Sequence, residues 1–207
     1  MPLERITLRG RHVSLEPLEL DHAAALLAIA DESRESYALQ PVPPDLEGME
    51  EYVSTAIAEW GRDQSLPFVV RDGAGDIVGT TRFMTIEWWK WPGNPPEPIP
   101  SGPDVVEIGW TWYTVRAQRT AVNTEAKLLL CTHAFEHWRV RRVSWKTDAR
   151  NARSRAAILR LGARFDGILR AHRAAGDGTV RDSVFFSMIA AEWPAARARL
   201  EERLRRG

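Results

Sequence analysis

Apolar and polar residues alternate with a period of two in several short stretches of the chain, a pattern typical of β-strands. In the clearest example, four large apolar residues alternate with Glu107, Gly109 and Thr111, which predicts that the apolar four share one buried face. Those four are Val106, Ile108, Trp110 and Trp112. In all, the pattern predicts strands at residues 12–18, 66–70, 77–86, 105–113, 140–147, 163–172 and 180–189.

Other stretches repeat their apolar residues every three or four positions, as an amphipathic helix does. The strongest of them ends at Gly61, and its apolar face consists of Met49, Tyr52, Val53, Ala56, Ile57 and Trp60. This spacing predicts helices at residues 23–30, 49–60, 123–138, 152–161 and 193–206. Residues 91–104 hold six of the thirteen prolines, and they are predicted to form an irregular loop because proline cannot donate a backbone hydrogen bond.

The order of these elements is β-α-α-β-β-β-α-β-α-β-β-α. Hairpins in the first half and helical crossovers in the second predict an α/β (α+β) fold, with a mixed sheet flanked by helices. A chain of 207 residues is within the usual size of one domain, so residues 1–207 are expected to form a single domain.

The amino-acid composition limits which classes of binding partner and which cellular compartment are expected for the protein. Lys and Arg together number 28, as do Asp and Glu, so the net charge is zero and no general attraction to nucleic acid or anionic membrane is expected. No apolar run approaches the roughly 18 residues of a membrane span, and the first residues do not read as a signal peptide. A cytoplasmic protein is therefore expected. Cys131 is the single cysteine, which excludes an internal disulfide and a multi-thiolate metal site.

Two joints between a strand and a helix carry the candidate chemistry. The first runs from Tyr113 to Asn123 and contains Arg116 and Arg119. A helix that begins directly after a strand presents free backbone N–H groups and a positive dipole end to an anion such as a phosphate. Most joints of this form bind nothing, so the first joint alone is only suggestive.

The second joint follows the next predicted strand along the chain. Asn151 is a natural N-cap there, and Ser154 lies one turn inside the helix, with its hydroxyl near the helix start. Ordinary capping explains Asn151 equally well. Two such joints after consecutive strands are expected to converge where the sheet changes direction, and that convergence favours a binding site.

Taken together, these segments resemble the GNAT N-acetyltransferase superfamily, and in particular its RimJ/RimL-like branch. The resemblance spans about residues 6–193. It is carried by Val106-Glu107-Ile108-Gly109-Trp110, Arg116-x-x-Arg119-x-Ala121, Asn123-Thr124-Glu125-Ala126, and Asn151-x-x-Ser154 followed by Leu161-Gly162-Ala163.

The resemblance implies a splayed mixed sheet and an enzyme that transfers an acetyl group from acetyl-coenzyme A directly to a primary amine, in a ternary complex and without a metal. The amine would belong to a protein N-terminus or to a small molecule. By resemblance, the coenzyme would bind to Trp112, Tyr113, Thr114, Arg116, Arg119, Thr120, Ala121, Val122, Asn123 and Asn151.

The same resemblance implies the catalytic residues, namely Glu107, Ser154 and Asn151. Ser154 would meet the departing sulfur, Asn151 would hydrogen-bond the pantetheine arm, and Glu107 would take the proton of the amine, directly or through water. Glu107 as a structural partner of an arginine remains an equal alternative.

One position departs from the family pattern. Arg119 stands where the first glycine of the phosphate-binding loop is expected, and glycine suits a backbone that must approach the phosphates closely. The arginine is expected either to turn outward, to fold over the phosphates as an added cation, or to obstruct the site. A non-catalytic acyl-coenzyme A binder is therefore the alternative function.

Two further features allow other interpretations. Trp88, Trp89 and Trp91 precede the proline-rich loop, and they are interpreted as a lid over the substrate, a homodimer contact, or a cluster that pins the loop to its own domain. This loop and the arginine-rich tail are also the candidate surface of a protein- or RNA-interaction module, a third hypothesis. His133 and His137 lie four apart on one helix, but no third metal ligand is near in sequence.

Overall fold

An eight-stranded mixed sheet organises the computed structural model, which describes residues 3–32, 34–37, 39–97 and 99–206. Pro98 of the proline-rich loop lies outside these residues. The strands are β1 (Leu8–Arg9), β2 (Val13–Pro17), β3 (Ser65–Asp72), β4 (Ile77–Glu87), β5 (Val105–Tyr113), β6 (Arg142–Asp148), β7 (Arg164–Ala174) and β8 (Val180–Ile189).

Five α-helices flank the sheet. They are α1 (Ala23–Asp31), α2 (Leu46–Trp60), α3 (Ala121–Thr132), α4 (Ala152–Arg160) and α5 (Trp193–Arg206). Short 3₁₀ turns lie at Leu20–His22, Arg34–Tyr37, Val115–Ala117 and Ala190–Glu192, and a π-helical turn at His133–His137 extends α3.

The strand order in the sheet is β1-β2-β3-β4-β5-β6-β8-β7. The pairing between β5 and β6 is parallel, and the other neighbouring pairs are antiparallel. This arrangement confirms the predicted α/β fold with a mixed sheet flanked by helices. The reversal of direction at β5 and β6 separates the hairpin half of the sheet from the crossover half.

Each face of the sheet has its own apolar core. Helices α1 and α2 pack on one face, where their buried residues meet Val69 of β3 and Trp112 of β5. Helices α3, α4 and α5 pack on the other face, against Val106, Val143 and Phe186 among others. Burial of these apolar surfaces is the main favourable contribution to folding.

The predicted alternation of β5 is wrong beyond Ile108. Val106 and Ile108 face α3, as the pattern requires, whereas Trp112 belongs to the core beneath α1 and α2. The reason is a β-bulge: Thr80 pairs with Trp112 and Arg82 with Gly109, so β5 has one residue more than β4, and Trp110 has a φ of 48°. An extra residue moves all later side chains to the opposite face.

Other differences are smaller. Strand β1 precedes the predicted first strand, and α3 begins at Ala121 rather than at Asn123, because Thr120 caps it. The expected polar connector before α3 contains a 3₁₀ turn. Gly79 permits the close approach of β4 and β5 near the bulge, since a Cβ there would lie 2.0 Å from the carbonyl oxygen of Trp112.

Candidate active site

A cleft opens between β5 and β6. The two strands pair only over Val105–Glu107 and Arg142–Ser144, at the beginning of each strand. Beyond these residues β5 stays with β4 and β6 stays with β8, so the two strands diverge toward their carboxyl ends. We call this gap the β5–β6 cleft. Helices α3 and α4 begin at its wide end, which is where ligands bind in open sheets of this kind.

The first turn of α3 forms one side of the cleft mouth. Thr120 is the N-cap, and its Oγ1 accepts a hydrogen bond of 3.2 Å from the amide of Val122. The amides of Ala121 and Asn123 lie in the same turn, where backbone donors have no intrahelical acceptor, so the helix start attracts an anion.

Arg119 adopts a left-handed backbone conformation, with a φ of 63°. This region of φ favours glycine and disfavours residues that carry a Cβ, by roughly 1–2 kcal/mol. The loop therefore retains the backbone geometry that a glycine would take at this position, although the sequence supplies an arginine.

The first turn of α4 forms the other side of the mouth. Asn151 caps this helix, because its Oδ1 accepts a hydrogen bond of 2.9 Å from the amide of Ser154. The structure thus brings Asn151 and Ser154 together in the first turn, as the motif suggests. The cap also means that the Oδ1 atom of Asn151 is engaged within the protein.

Arg116 is held away from the helix starts. Its guanidinium lies 2.7 Å from Asp72 and 3.5 Å from Asp76, in the turn between β3 and β4. The side chain is about half exposed, so these ion pairs are weak and can be exchanged for another anion.

A polar bridge crosses the cleft mouth. Arg153 of α4 donates to Oε1 of Gln118 at 3.1 Å, and Gln118 donates from Nε2 to the carbonyl oxygen of Tyr113 at 3.0 Å. The same carbonyl accepts a bond of 3.2 Å from the hydroxyl of Tyr37, and Arg153 also donates to the carbonyl of Ser36. We call the Arg153–Gln118 contact the cleft bridge. Sequence reasoning missed it, although Arg153 lies inside the Asn151-x-x-Ser154 motif.

A buried ion pair marks the narrow end of the cleft. Glu107 is 4% exposed, and its Oε2 lies 2.7 Å from Nζ of Lys146 on β6. Thr85 of β4 donates to the same oxygen at 3.2 Å. Glu107 is on the face opposite Val106, as predicted. The alternative role, a structural partner of an arginine, is wrong in residue type, because the partner is Lys146. Lys146 and Thr85 were missed because only the sheet register brings them to Glu107.

Strained backbone surrounds the cleft. Among the described residues, six that are not glycine have positive φ, and three of them lie next to the cleft: Thr85, Trp110 and Arg119. Such conformations cost on the order of 1–3 kcal/mol each and concentrate at functional sites. The strain at these positions is consistent with a functional site at the cleft.

A cavity of about 250 Å³ adjoins the ion pair. Its walls include Met84 and Thr85 of β4 and Glu59 and Gln64 at the end of α2. Thr85 is both a wall of this open cavity and a hydrogen-bond donor to Glu107, so it links the cavity to the carboxylate, which does not itself line the cavity.

Lys127 of α3 is buried beneath the bulge. Its Nζ donates to the hydroxyls of Thr81 at 3.0 Å and Thr111 at 2.6 Å, and burial lowers its pKa to about 7. Burial also raises the pKa of Cys131 to about 12, which makes this thiol a packing residue, as its sequence context indicates, rather than a nucleophile.

The other candidate residues from the sequence analysis, the histidine pair and the three tryptophans, lie outside the cleft. The rings of His133 and His137 stack at 5.3 Å, and within the described ranges no three His, Cys, Asp or Glu side chains are grouped to hold a metal. Trp91 is anchored by Asp104 and by Arg141, which lies 4.8 Å over its ring. Trp89 donates to Asp104 and Glu87 and contacts the Trp91 ring, although it and Trp88 remain partly exposed. No helix in the described part of the chain has the length and apolar character needed to cross a membrane.

Comparisons with known proteins agree with this geometry. The family model described as "Acetyltransferase (GNAT) domain" matches residues 12–164. A GCN5-related N-acetyltransferase from Brucella melitensis is 28% identical, with a TM-score of 0.83 over 99% of this chain and 87% of the other. No significant match is found among curated proteins.

Two more distant structures share the fold. RimJ of Mycobacterium smegmatis, solved in complex with CoA-disulfide, is 22% identical, with a TM-score of 0.76 over 98% of this chain and 95% of the other. The ribosomal-protein-S5-alanine acetyltransferase of Vibrio fischeri is 16% identical, with a TM-score of 0.68 over 91% of this chain and 98% of the other.

Proposed function

Because the chain belongs to the GNAT acetyltransferase family, we propose that it transfers the acetyl group of acetyl-coenzyme A to a primary amine. The main support for this proposal is the β5–β6 cleft, which has a helix beginning on each side of its wide end. The cleft is the kind of gap in which an extended anionic ligand binds. The cytoplasm, where acetyl-coenzyme A is available, is the compartment that we propose.

The donors at the wide end fit a diphosphate. The amides of Ala121 and Asn123 at the start of α3, with the left-handed backbone of Arg119 before them, offer hydrogen bonds and a positive helix end, while the amide of Val122 is engaged by the Thr120 cap. We propose that this turn holds the diphosphate, with Thr120 keeping the turn in place. The guanidiniums of Arg116 and Arg119 would supply added charge.

The pantetheine arm would run along the diverging edge of β5. Backbone groups of Trp112, Tyr113 and Thr114 lie on this edge, and the side-chain oxygen of Thr114 is buried without a hydrogen-bond partner in the described part of the chain. The carbonyl of Tyr113 is now engaged by Gln118 and Tyr37. Gln118 and Arg153 would have to release each other before the arm could enter between them.

The chemistry requires few groups from the protein. Acetyl-coenzyme A supplies an activated acetyl group whose leaving group is a thiol. We propose that the hydroxyl of Ser154 donates a hydrogen bond to the departing sulfur, and that Asn151 keeps the α4 turn in register for this contact. Glu107 is engaged through Oε2, and within the described residues its Oε1 has no partner, so this oxygen is available to orient an incoming amine.

The acceptor is proposed to be a peptide N-terminus or a small-molecule amine. The cavity beside Thr85 is large enough for a short side chain, and its walls carry both Glu59 and Met84. The Vibrio fischeri relative is named for an alanine of a ribosomal protein, which makes a peptide N-terminus one class to test.

A homodimer is a further prediction. Trp88 and Trp89 are 45% and 42% exposed, which leaves two indoles available for a second copy of the chain. Light scattering of the wild type and of the double variant Trp88→Ala, Trp89→Ala measures the oligomeric state of each protein directly. A wild type that is monomeric at high concentration contradicts the prediction.

Calorimetry and a thiol-release assay test the proposed function. Acetyl-coenzyme A is expected to bind the wild type, and at least one amine from a panel of peptides, amino acids and polyamines is expected to release free coenzyme A thiol. Ser154→Ala should bind the coenzyme normally but turn over about 10²-fold more slowly. Ser54→Ala, an exposed serine on α2, is the matched control.

The outcomes separate the hypotheses. Binding without turnover of any amine would support the non-catalytic acyl-coenzyme A binder. Failure to bind acetyl-coenzyme A even at millimolar concentration would contradict both functions.

A further inference from the structure

The edge strand β7 contains a large bulge opposite residues 181–183 of β8. Leu169 pairs with Ser183 and Arg173 with Arg181, so β7 carries two more residues than β8 over this stretch. Ala171 lies within it, with a φ of 47°, and its amide donates to Asp182 at 2.8 Å, which holds the bulge in shape. A bulge of this kind redirects the neighbouring side chain, and here that side chain is His172.

His172 lies on the same face of the sheet as Glu107 and Lys146. Its ring contacts Phe185, with ring centroids 5.4 Å apart, and Phe185 is the register partner of Lys146. Glu107 in turn is in register with Ser144, two residues before Lys146. Helices α3, α4 and α5 pack on the opposite face, so the imidazole lies on the side of the sheet that carries Glu107 and Lys146.

One contact holds the imidazole of His172 in place. Nδ1 lies 2.9 Å from Oγ of Ser183, and Ser183 is fully buried and also accepts a bond of 2.9 Å from Nε of Arg181. When Nδ1 is protonated it donates to the second lone pair of this oxygen, and Nε2 is then unprotonated. The contact persists when Nε2 gains a proton, because Nδ1 remains a donor.

Charged groups on each neighbouring strand act on the imidazole. Burial lowers the pKa of His172 below its ordinary value, and Lys146 on β6, Arg173 on β7 and Arg181 on β8 lower it further. The carboxylate of Glu107 on β5 acts in the opposite direction. The imidazole is therefore neutral near neutral pH, which a proton acceptor requires.

We propose that Nε2 of His172 accepts the proton that the acceptor amine loses during acetyl transfer, with Ser183 as the positioning residue and Glu107 orienting the amine. This inference rests on the proposed function and deepens it. The amine nitrogen forms a C–N bond with the acetyl carbon, and the C–S bond breaks with its electron pair leaving on sulfur. Of the two protons that an ammonium acceptor loses, one passes through His172 to solvent and the other ends on the coenzyme thiol.

The pH dependence of kcat/KM tests the proposal. For the wild type, kcat/KM for the amine should rise with pH through a midpoint below the ordinary histidine pKa of 6.5 and then level off. His172→Gln should lower kcat by about 10²-fold or more and lose this acidic limb, while its calorimetric affinity for acetyl-coenzyme A stays unchanged. His137→Gln, an exposed histidine at the end of α3, is the matched control and should keep the limb.

The outcomes distinguish this inference from the proposed function. A wild type that acetylates an amine, together with a His172→Gln variant of similar activity and unchanged pH profile, overturns the role of His172 alone. A wild type that neither binds acetyl-coenzyme A nor turns over overturns both.

A measurement on the wild type avoids any effect of the variant on folding. Nitrogen-15 imidazole spectra at neutral pH should show His172 neutral and protonated at Nδ1. Ser183→Ala should shift its titration without changing coenzyme affinity. A neutral ring protonated at Nε2, or an imidazolium at neutral pH, contradicts the proposal.

Discussion

Nζ of Lys146 lies 2.7 Å from Oε2 of Glu107, across the point at which β5 and β6 part. Both side chains are largely removed from solvent, and no pair of backbone hydrogen bonds joins the strands beyond this point. The ion pair therefore joins the two strands at the narrow end of the cleft and holds a carboxylate where the candidate reaction takes place.

Removing the lysine should destabilise the protein. Lys146→Met leaves Glu107 buried without its counter-ion, and we expect the free energy of unfolding to fall by about 3 kcal/mol. The double variant Glu107→Met, Lys146→Met should recover most of the loss, since a buried pair offers little net stability over apolar residues. Urea unfolding of the wild type, the two single variants and the double variant measures the coupling energy between Glu107 and Lys146. A Lys146→Met variant as stable as the wild type would argue against this prediction.

Replacing Arg119 tests the backbone at the phosphate-binding turn. Arg119→Gly removes the unfavourable left-handed conformation but adds chain entropy, so we expect stability to change by at most about 1 kcal/mol, in the stabilising direction. Arg119→Val should lower stability by more than about 1 kcal/mol, because a β-branched residue tolerates this φ poorly. Thermal unfolding compares the variants, and equal behaviour of glycine and valine would be the contrary result.

Weakening the cleft bridge should favour the coenzyme. Gln118→Ala removes the contacts to Arg153 and to the Tyr113 carbonyl, which must open before the pantetheine arm enters. If each of the two hydrogen bonds is worth about 0.5 kcal/mol, the affinity for acetyl-coenzyme A should rise by about fivefold. Calorimetry measures this, with Ser54→Ala, an exposed serine on α2, as the control. A weaker affinity would mean that Gln118 contacts the ligand instead.

Lys127 should make stability depend on pH. Its pKa is about 7 in the folded protein and 10.5 ordinarily, so between these values the unfolded chain binds the additional proton and stability rises with pH. Relative to Lys127→Met, the wild type should gain about 1–2 kcal/mol between about pH 7 and 8.5. Urea unfolding at several pH values tests this, in a range below the ordinary pKa of 9.0 for Cys131. A constant difference between the two proteins would contradict the burial of an uncharged amine.

Particular residues show which parts of the candidate site could be predicted from the sequence. Asn151 and Ser154 were predicted to share a helix start, and they do, because capping is local and depends on residues three apart. The face of Glu107 was also correct, since the alternation holds up to Ile108. The predicted faces of Trp110 and Trp112 were wrong, because a bulge arises from the register between two strands and no local sequence pattern indicates it.

The sequence by itself determined the order of strands and helices, the positions of the two helix starts and the family to which they belong. These features depend on periodicity and on contacts within a few residues. The tertiary structure alone decided that Lys146 and Thr85 meet at Glu107, that His172 lies on the same face of the sheet, and that Arg153 reaches Gln118. In the sequence, Thr85, Lys146 and His172 are 22 to 65 positions from Glu107. Arg153 is 35 positions from Gln118, and only the register of a strained sheet produces this arrangement.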